Sequence, residues 1–275
     1  MINSTPLDAP ADRPLILVSN DDGIDSAGIA ALVAALDGLG TIAVVAPLQE
    51  QSAVGHGITI RDPMRAIPWA FEGPSGPVWA RAITGTPADC VKIAAQKLLP
   101  RFPDLVVSGI NHGPNTAVNI IYSGTVSAAT EATILGVPAI AVSHGAWRPD
   151  DFEPTGLISR QLAERVLEEG LPPHVLLNVN VPNVSQSDLK GIRTTRQAHA
   201  RWEEEFEERR DPMNRPYYWL GGKFVELDDG DDTDLAALRD GFASVTPLHL
   251  DLTAHAHLDH TSSLVSSLDL EPTHG

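Results

Sequence analysis

Two adjacent carboxylates, Asp21 and Asp22, stand directly after a short apolar run at residues 15–19 and before Gly23. Adjacent carboxylates at such a place are suited to holding a divalent cation. An Asp-Gly pair is also an ordinary turn sequence, and this string taken alone favours the turn. Other residues must therefore decide between a cation site and a simple turn.

Polar residues also follow two later apolar runs, at residues 41–46 and 105–108. The loop after the first of these runs contains Ser52, and alone it indicates only a loop. The segment after the second run contains Asn111 and Asn115. Hydroxyl and amide oxygens therefore occur at two more places that resemble the ends of buried strands.

Ser123, Gly124 and Thr125 open a segment rich in small residues that has the pattern of a helix. The first backbone N–H groups of a helix lack partners within it and lie at the positive end of its dipole, so they can hold an anion. Ser and Thr also cap many helices that bind nothing. Capping alone therefore remains an alternative interpretation of this segment.

The elements that must position these residues alternate between strand and helix from residue 14 to residue 183. Helix-start residues such as Ser26 and Thr86 separate the apolar runs, with Pro87 and Asp89 completing a capping-box spacing after Thr86. This alternation predicts an α/β fold with a doubly wound, mostly parallel sheet as its core. Ligands bind beyond the carboxyl ends of the strands in such a sheet, which is where the polar residues occur.

The segment from about residue 184 changes to short extended pieces separated by acidic and Gly- or Pro-containing stretches. We expect a β-rich or extended C-terminal appendage over residues 184–255. Flexible tails are expected at residues 1–13 and 256–275. The acidic stretches at 203–208 and 228–234 are expected to be solvated or flexible.

The charge and the cysteine content exclude several classes of function. The 275 residues include 19 basic and 36 acidic side chains, a formal net charge of −17, so duplex nucleic acid is not expected as a partner. The single cysteine, Cys90, permits no internal disulfide, and no apolar run reaches membrane-spanning length. Residues 1–13 show no secretory pattern, so we expect a cytoplasmic protein without a membrane partner.

The polar strand ends together favour a hard divalent cation, because carboxylate, hydroxyl and amide oxygens suit Mg²⁺, Mn²⁺ or Ca²⁺ better than zinc or copper. A helix start that can hold an anion lies in the same predicted region. We therefore expect metal-assisted hydrolysis of a phosphoester.

The chain resembles the SurE family, the survival-protein nucleotidases, through short segments that occur in the family's order. They cover most of residues 14–250 and read ILVSNDDGI from residue 16, VVAP from 44 leading to QS at 51, GTPADCV from 85, PDLVVSGIN from 103, YSGTV from 122, NVNVP from 178 and VTPL from 245. The resemblance implies a Rossmann-like fold and a divalent-metal-dependent phosphomonoesterase. The substrates that the resemblance implies are nucleoside 5′- and 3′-monophosphates, which such an enzyme hydrolyses to nucleoside and phosphate.

The resemblance also implies a set of site residues and one divalent ion per subunit, Mg²⁺ or Mn²⁺. The metal ligands that it implies are Asp21, Asp22, Ser52 and Asn111. The implied contacts to substrate and phosphate are Asn111, Asn115, Ser123, Gly124 and Thr125. The implied catalytic residues are Asp21, Asp22 and Asn115, and either aspartate is a candidate for proton removal from the attacking water.

Family members form dimers or tetramers, so the resemblance implies a homodimer or homotetramer that uses the region 184–255. Two alternatives on the same fold are a short-chain polyphosphatase and a catalytically silent stress or assembly factor. A dinucleotide-binding oxidoreductase is disfavoured, because the first strand is not followed by G-x-G-x-x-G.

Two features of the sequence keep alternative roles. His56 either donates to the substrate or holds its loop, and we favour the loop role. Tyr217, Tyr218 and Trp219 either stack on a nucleobase or lie on a strand that faces the core of the appendage.

Overall fold

The computed structural model describes residues 6–149, 151–266 and 268, and within them its main feature is a nine-stranded sheet. The described residues form eleven strands, of which β9 and β10 make a separate two-stranded sheet. They are β1 (Leu15–Ser19), β2 (Thr41–Pro47), β3 (Ala66–Gly73), β4 (Gly76–Ile83), β5 (Leu105–His112), β6 (Ala139–His144), β7 (Val175–Val181), β8 (Ile192–Thr194), β9 (Ala200–Arg210), β10 (Pro216–Glu226) and β11 (Ala243–His249). The helices are α1 (Ala27–Leu36), α2 (Pro87–Ile93), α3 (Asn119–Tyr122), α4 (Gly124–Ile134), α5 (Glu153–Glu169), α6 (Asp234–Arg239) and α7 (Leu258–Ser266).

The strand order in the large sheet is β3-β4-β2-β1-β5-β6-β7-β11-β8. The strands from β4 to β7 in this order run parallel. Strand β3 is antiparallel to β4, and β11 is antiparallel to β7. The chain leaves β1 toward β2 on one side and later returns to place β5 on the other side. The gap between β1 and β5 is therefore the point where the order reverses, and ligands bind at the carboxyl end of such a point.

Each side of the sheet has its own hydrophobic core. One core includes Ile29 and Leu32 of α1 and Ile158 of α5, and the other includes Cys90 of α2 and Ala128 of α4. Successive side chains of each buried strand point alternately into one core and the other. Helices thus cover both sides, which confirms the predicted doubly wound α/β fold.

The predicted helix starts are present. The Ser26 hydroxyl accepts the N–H of Ile29, and Thr86 and Asp89 form a reciprocal capping box with Pro87 at the first turn. A π-helical turn at Ala94–Leu98 continues α2. Local helix chemistry was therefore readable from the sequence at these positions.

The part of the chain after residue 184 divides into two. Strands β8 and β11 extend the large sheet, because β11 pairs with β7, and β8 pairs with β11. Strands β9 and β10 form a separate antiparallel hairpin in full register from Ala200 and Glu226 to Arg210 and Pro216. The appendage is therefore this hairpin, and the rest of the segment belongs to the core sheet.

The first acidic stretch is solvated as expected, whereas the second is partly buried. Residues 203–208 are exposed but lie within β9, where cross-strand pairing with β10 orders them. In the second stretch Asp234 is fully buried. Its carboxylate accepts three backbone N–H groups, which compensate for the loss of water.

The tails predicted at residues 1–13 and 256–275 are described only in part. Residues 1–5, 267 and 269–275 of these tails lie outside the described residues. A short 3₁₀ turn at His255–His257 and the exposed helix α7 occupy part of the C-terminal tail. Within the described ranges, every helix falls short of the length and apolar character needed to span a bilayer.

Candidate metal and phosphate site

A cavity of about 640 Å³ opens at the carboxyl edge of the sheet, beside the gap between β1 and β5. Asp21, just after β1, lies in its wall together with Asn111 at the end of β5 and Ser52 in the loop after β2. Asn115 and Ser123 also line it. The structure therefore brings together residues that lie as much as 102 positions apart in the sequence.

Asp21 is buried and is held from one side by helix α4. Its Oδ1 accepts a hydrogen bond of 2.5 Å from the hydroxyl of Thr125. Burial and the neighbouring charge of Asp22 raise the pKa of Asp21 to about 6, against the hydrogen bond from Thr125, which lowers it. The fold thus holds a carboxylate whose negative charge the surrounding protein stabilises poorly.

Gly124 allows this close contact between α4 and Asp21. A Cβ atom on Gly124 would lie 2.7 Å from Cβ of Asp21 and 2.9 Å from its Oδ2. The predicted phosphate contacts Gly124 and Thr125 therefore both touch Asp21. Thr125 is fully buried, and its hydroxyl is used on the aspartate.

Asp22 turns toward His112. Its Oδ1 lies 3.3 Å from Nδ1 of His112, and its Oδ2 lies 3.4 Å from the backbone N of the same residue. The hydrogen bond to Asp22 raises the pKa of His112 above its ordinary value, although burial opposes the shift. The contact between His112 and Asp22 was not predicted from the sequence.

Asn111 and Ser52 each keep oxygen lone pairs available. The Asn111 amide donates to the backbone carbonyl of Gly113 at 2.7 Å, which directs its Oδ1 toward Thr125, 3.4 Å away. The Ser52 hydroxyl donates to Oε1 of Glu50 at 2.5 Å. Because each group donates elsewhere, its oxygen can accept or coordinate within the cavity.

Asn115 is fixed by a network from two strands. Its backbone N–H donates to Oδ1 of Asn180 at 2.7 Å, and its carbonyl accepts from Asn178 and Asn180. Its Nδ2 donates to the hydroxyl of Ser143 at 2.9 Å. The two asparagines alternate along β7, so both point to the same side of the strand, a spacing visible in the sequence.

The start of α4 is a capped helix start at the cavity. The Ser123 hydroxyl accepts the N–H of Val126 at 3.1 Å, and its carbonyl accepts the Ser127 hydroxyl at 2.7 Å. Ser123 therefore caps the helix, and the same helix start also borders the cavity, where it could hold an anion.

His56 binds a carboxylate of α4. Its Nε2 lies 3.1 Å from Oε2 of Glu131, whose other oxygen accepts from Lys92 at 2.5 Å. Burial would raise the pKa of Glu131, but the hydrogen bonds from His56 and Lys92 outweigh it and hold that pKa below its ordinary value. This arrangement accords with the loop role favoured for His56.

The donor set fits a hard divalent cation. The predicted ligands offer oxygens of two adjacent carboxylates, an amide and a hydroxyl, which is the chemistry that Mg²⁺ and Mn²⁺ prefer. Asp21, Asn111 and Ser52 line the cavity, whereas Asp22 lies against His112 and is not part of the lining. In the described ranges, no three His, Cys, Asp or Glu side chains converge to hold a metal by themselves. An ion here would therefore need the oxygens of Asn111 and Ser52, or of water, in addition to Asp21 and Asp22.

The cavity lining also has an aromatic part, formed by Trp147, Trp202 and Tyr122. Leu220, Gly221 and Gly222 of β10 line the cavity as well. Sequence reasoning missed the two tryptophans, because Trp147 follows β6 without a recognisable motif and Trp202 lies beside an acidic run.

Tyr217, Tyr218 and Trp219 do not line the cavity. Directly paired residues of an antiparallel hairpin share one side, so Trp202 shares its side with Phe224 and not with Tyr217 or Trp219. Tyr218 shares that side, but it lies toward the hairpin tip, where its hydroxyl meets Glu208. All three side chains are exposed, so the alternative that they lie buried in the core of the appendage is wrong within this chain.

Comparison with known proteins identifies relatives of this chain. A family model described as Survival protein SurE matches residues 16–204. A protein named 5′-nucleotidase SurE from Christiangramia forsetii is 50% identical over 252 residues, covering 91% of this chain and 96% of the relative. A protein of the same name from Flavobacterium psychrophilum is 47% identical over 260 residues, covering 94% of this chain and 98% of the relative.

A solved structure resembles the fold as well. The crystal structure of the Sure protein from Aquifex aeolicus has 39% sequence identity to this chain and a TM-score of 0.77. The match covers 92% of this chain and 100% of that chain. Both sequence and fold are therefore shared along nearly the whole length.

Proposed function

Because the chain belongs to the survival protein SurE family, we propose that it is a divalent-metal-dependent phosphomonoesterase. It hydrolyses nucleoside 5′-monophosphates, and 3′-monophosphates, to nucleoside and phosphate. The observation that carries this proposal is the buried carboxylate of Asp21, which shares one cavity with Ser52, Asn111 and the start of α4.

One Mg²⁺ or Mn²⁺ per subunit is assigned to Asp21, Asp22, Ser52 and Asn111. When bound, such an ion neutralises phosphate oxygens and lowers the pKa of a coordinated water. The oxygen chemistry of the donors and the poorly compensated charge of Asp21 support this assignment.

The phosphate is assigned to the start of α4 and to Asn115. Backbone N–H groups after Ser123 lie at the positive end of the helix, which favours a bound anion. The amide of Asn115 uses one N–H on Ser143, and its second N–H is available to a phosphate oxygen. Because Asn178 and Asn180 fix the backbone of Asn115, this donor is held in place before substrate arrives.

Proton removal from the attacking water is assigned to the aspartate pair. Both carboxylates lie beside the assigned ion, so either of them is placed to accept a proton from a water bound there. Thr125 and Gly124 act on Asp21 itself, since the hydroxyl binds it and the missing side chain makes room for it.

A homodimer or homotetramer is part of the proposal, and the β9–β10 hairpin is its contact surface. Phe206, Trp219 and Leu220 on this hairpin are each about 60% exposed, an unusual amount of apolar surface for a two-stranded element. Light scattering behind size exclusion tests this assignment. A monomer at micromolar concentration would contradict it.

A substrate panel tests the activity. Phosphate release is measured with Mn²⁺ from 5′-AMP, 3′-AMP and tripolyphosphate, with chelator as the control. We expect release from both nucleotides that chelator abolishes. Release from tripolyphosphate alone would favour the polyphosphatase, and no release from any compound by folded, metal-loaded protein would favour the silent stress or assembly factor.

A further inference from the structure

The lining of the cavity has a polar part and an aromatic part, and only the polar part is used by the assigned phosphate chemistry. Asp21, Asn111 and Ser123 belong to the polar part, and Trp202 of β9 and Trp147 belong to the aromatic part. A volume of about 640 Å³ is within the range of about 300–1,000 Å³ typical of small-molecule sites. The cavity therefore has room for more than a phosphate group.

Trp202 has two contacts that fix its position in the cavity lining. Its indole Nε1 donates to Oδ1 of Asn119 at 2.9 Å, and its ring and that of Phe224 form a T-shaped pair with centroids 5.3 Å apart. The side chain is still 42% exposed, so part of the indole is available to a ligand. Such a ring offers a stacking surface at little cost in side-chain entropy.

The strand paired with Trp202 contributes little side-chain volume to the cavity lining. Gly221 and Gly222 follow one another in β10 and both line the cavity. A Cβ on Gly222, whose φ is +147°, would lie 2.5 Å from the carbonyl oxygen of Glu203. A side chain at Gly222 is therefore excluded by the backbone of β9.

Trp147 supplies a second aromatic wall. Its ring lies against Gly113, where an added Cβ would come within 2.8 Å of the indole. The remainder of this side chain is open, at 76% exposed. Two indoles from different parts of the fold, one after β6 and one on β9, thus line the same cavity.

The charges set the direction of a ligand in the cavity. The carboxylate of Glu204, on the same side of the hairpin as Trp202, repels a phosphate, whereas the start of α4 attracts one. A planar group that carries both N–H donors and ring acceptors suits this part of the lining, because Glu204 can accept from its donors and the amide of Asn119 can donate to its acceptors.

We propose that Trp202, with Trp147, Asn119 and Glu204, is the base-recognition site of this enzyme and makes it prefer nucleotides to base-free phosphomonoesters. This inference rests on the proposed function, because it takes the polar part of the cavity lining as the reaction site. It assigns the stacking role to Trp202 and Trp147 and not to Tyr217, Tyr218 or Trp219.

The test compares 5′-AMP with ribose 5-phosphate, which lacks the base, in wild type, Trp202→Ala, Trp202→Phe and Trp69→Ala. Trp69 is the matched control, since it is a half-buried tryptophan of β3 that does not line the cavity. We expect Trp202→Ala to lower the ratio of kcat/KM for 5′-AMP to that for ribose 5-phosphate by about 10-fold or more, mainly through KM. Trp202→Phe should restore most of the ratio, and Trp69→Ala should leave it at the wild-type value.

A binding measurement separates this inference from the proposed function. Adenosine has no phosphate, so its binding reports the base contact even if the chain hydrolyses nothing. By calorimetry, Trp202→Ala should weaken adenosine binding about 10-fold and Trp69→Ala should not. Equal losses on 5′-AMP and ribose 5-phosphate, or equal adenosine affinity in wild type and Trp202→Ala, would overturn the base-recognition site, whereas absent hydrolysis with intact adenosine selectivity would overturn only the activity.

Discussion

Single residues set the chemistry of the site through contacts with Asp21. The hydroxyl of Thr125, the absent side chain of Gly124 and the charge of Asp22 all act on this one carboxylate. The residue types at positions 124 and 125 are therefore explained by the position of Asp21 as much as by a bound phosphate. This division of roles is visible only once the helix start and the strand end are seen in contact.

Gly124→Ala should displace Asp21, because the new Cβ would lie 2.7 Å from the aspartate's Cβ. We expect kcat to fall about 10-fold to 100-fold, since a displacement of about 1 Å at a reacting group has effects of this size. Steady-state kinetics measures the change. Thr130→Ala on the same helix is the control, and equal activity in the two variants would show that Asp21 tolerates the added methyl group.

Asp21 should also make the stability of the metal-free protein depend on pH. Folding raises its pKa from 3.8 to about 6, so the folded state favours the protonated carboxyl. This contribution is fully present below about pH 3.8 and is lost as the pH rises through about 6. At about 1.4 kcal/mol per pKa unit, the loss is up to about 3 kcal/mol.

The measurement is the melting temperature of wild type minus that of Asp21→Asn, in chelator, from pH 4 to pH 7. The difference should fall with rising pH, because the asparagine does not titrate. Parallel curves for the two proteins would mean that folding leaves the proton affinity of Asp21 unchanged.

Elements from the C-terminal part of the chain brace the site. Asp234, at the start of α6, accepts the N–H of Ala117 at 2.9 Å and that of Ala198 at 3.0 Å. Gln197 donates to the carbonyl of Ala117 at 2.8 Å. The loop that follows Asn115 is thus held by a segment more than 100 residues later in the sequence.

Asp234→Asn should loosen this loop, because an amide cannot accept all the N–H groups that the carboxylate accepts. A buried N–H left without a partner costs about 1–3 kcal/mol, so the melting temperature should fall by several degrees. The value of kcat/KM should fall as well, since the loop carries Asn115. Asp232→Asn, an exposed neighbour, is the control, and unchanged kcat/KM in a destabilised Asp234→Asn would confine Asp234 to stability.

The sequence predicted the elements whose local signals agree with their environment. The buried runs such as 15–19 and 175–181 became strands, and the caps at Ser26 and Thr86 started helices. It did not predict the β3–β4 hairpin, because its residues are partly exposed and lack a strict alternation. Asp234 was expected to be solvated, because only the fold brings the N–H groups of Ala117 and Ala198 to its carboxylate.

The candidate site was predictable to a similar degree. Residues after strand ends could be placed at one edge by the topology of a parallel sheet alone. The contact between Gly124 and Asp21 and the position of Trp202 over the cavity depend on packing between distant segments. Such packing leaves no periodic signal along the chain.

The whole molecule is strongly acidic, with a net charge of −17, and yet its assigned substrate is an anion. Local groups must therefore outweigh the distant field, and a divalent cation held by Asp21 and Asp22, as proposed, would do so directly. In the described residues, the imidazole of His112 is the basic side chain that contacts Asp22. Binding of an ion should thus change the stability of the entire fold.

Mn²⁺ should raise the melting temperature of wild type. An ion present at 100 times its Kd adds about 2.7 kcal/mol to stability, which corresponds to about 5–10 °C for a chain of this size. Differential scanning calorimetry measures the shift. Asp21→Asn should lose most of it, and Asp25→Asn, at an exposed aspartate nearby that binds Trp69, should keep it; a shift that survives in Asp21→Asn would place the ion elsewhere.

The most direct measurement is the rate of phosphate release from 5′-AMP as Mn²⁺ is titrated into metal-free wild type, Asp21→Asn and Asp25→Asn. The account predicts a rate that rises from near zero to saturation in wild type and Asp25→Asn, and a rate at least about 100-fold lower in Asp21→Asn at every concentration. Turnover by wild type without a divalent ion, or a wild-type rate in Asp21→Asn, would contradict it.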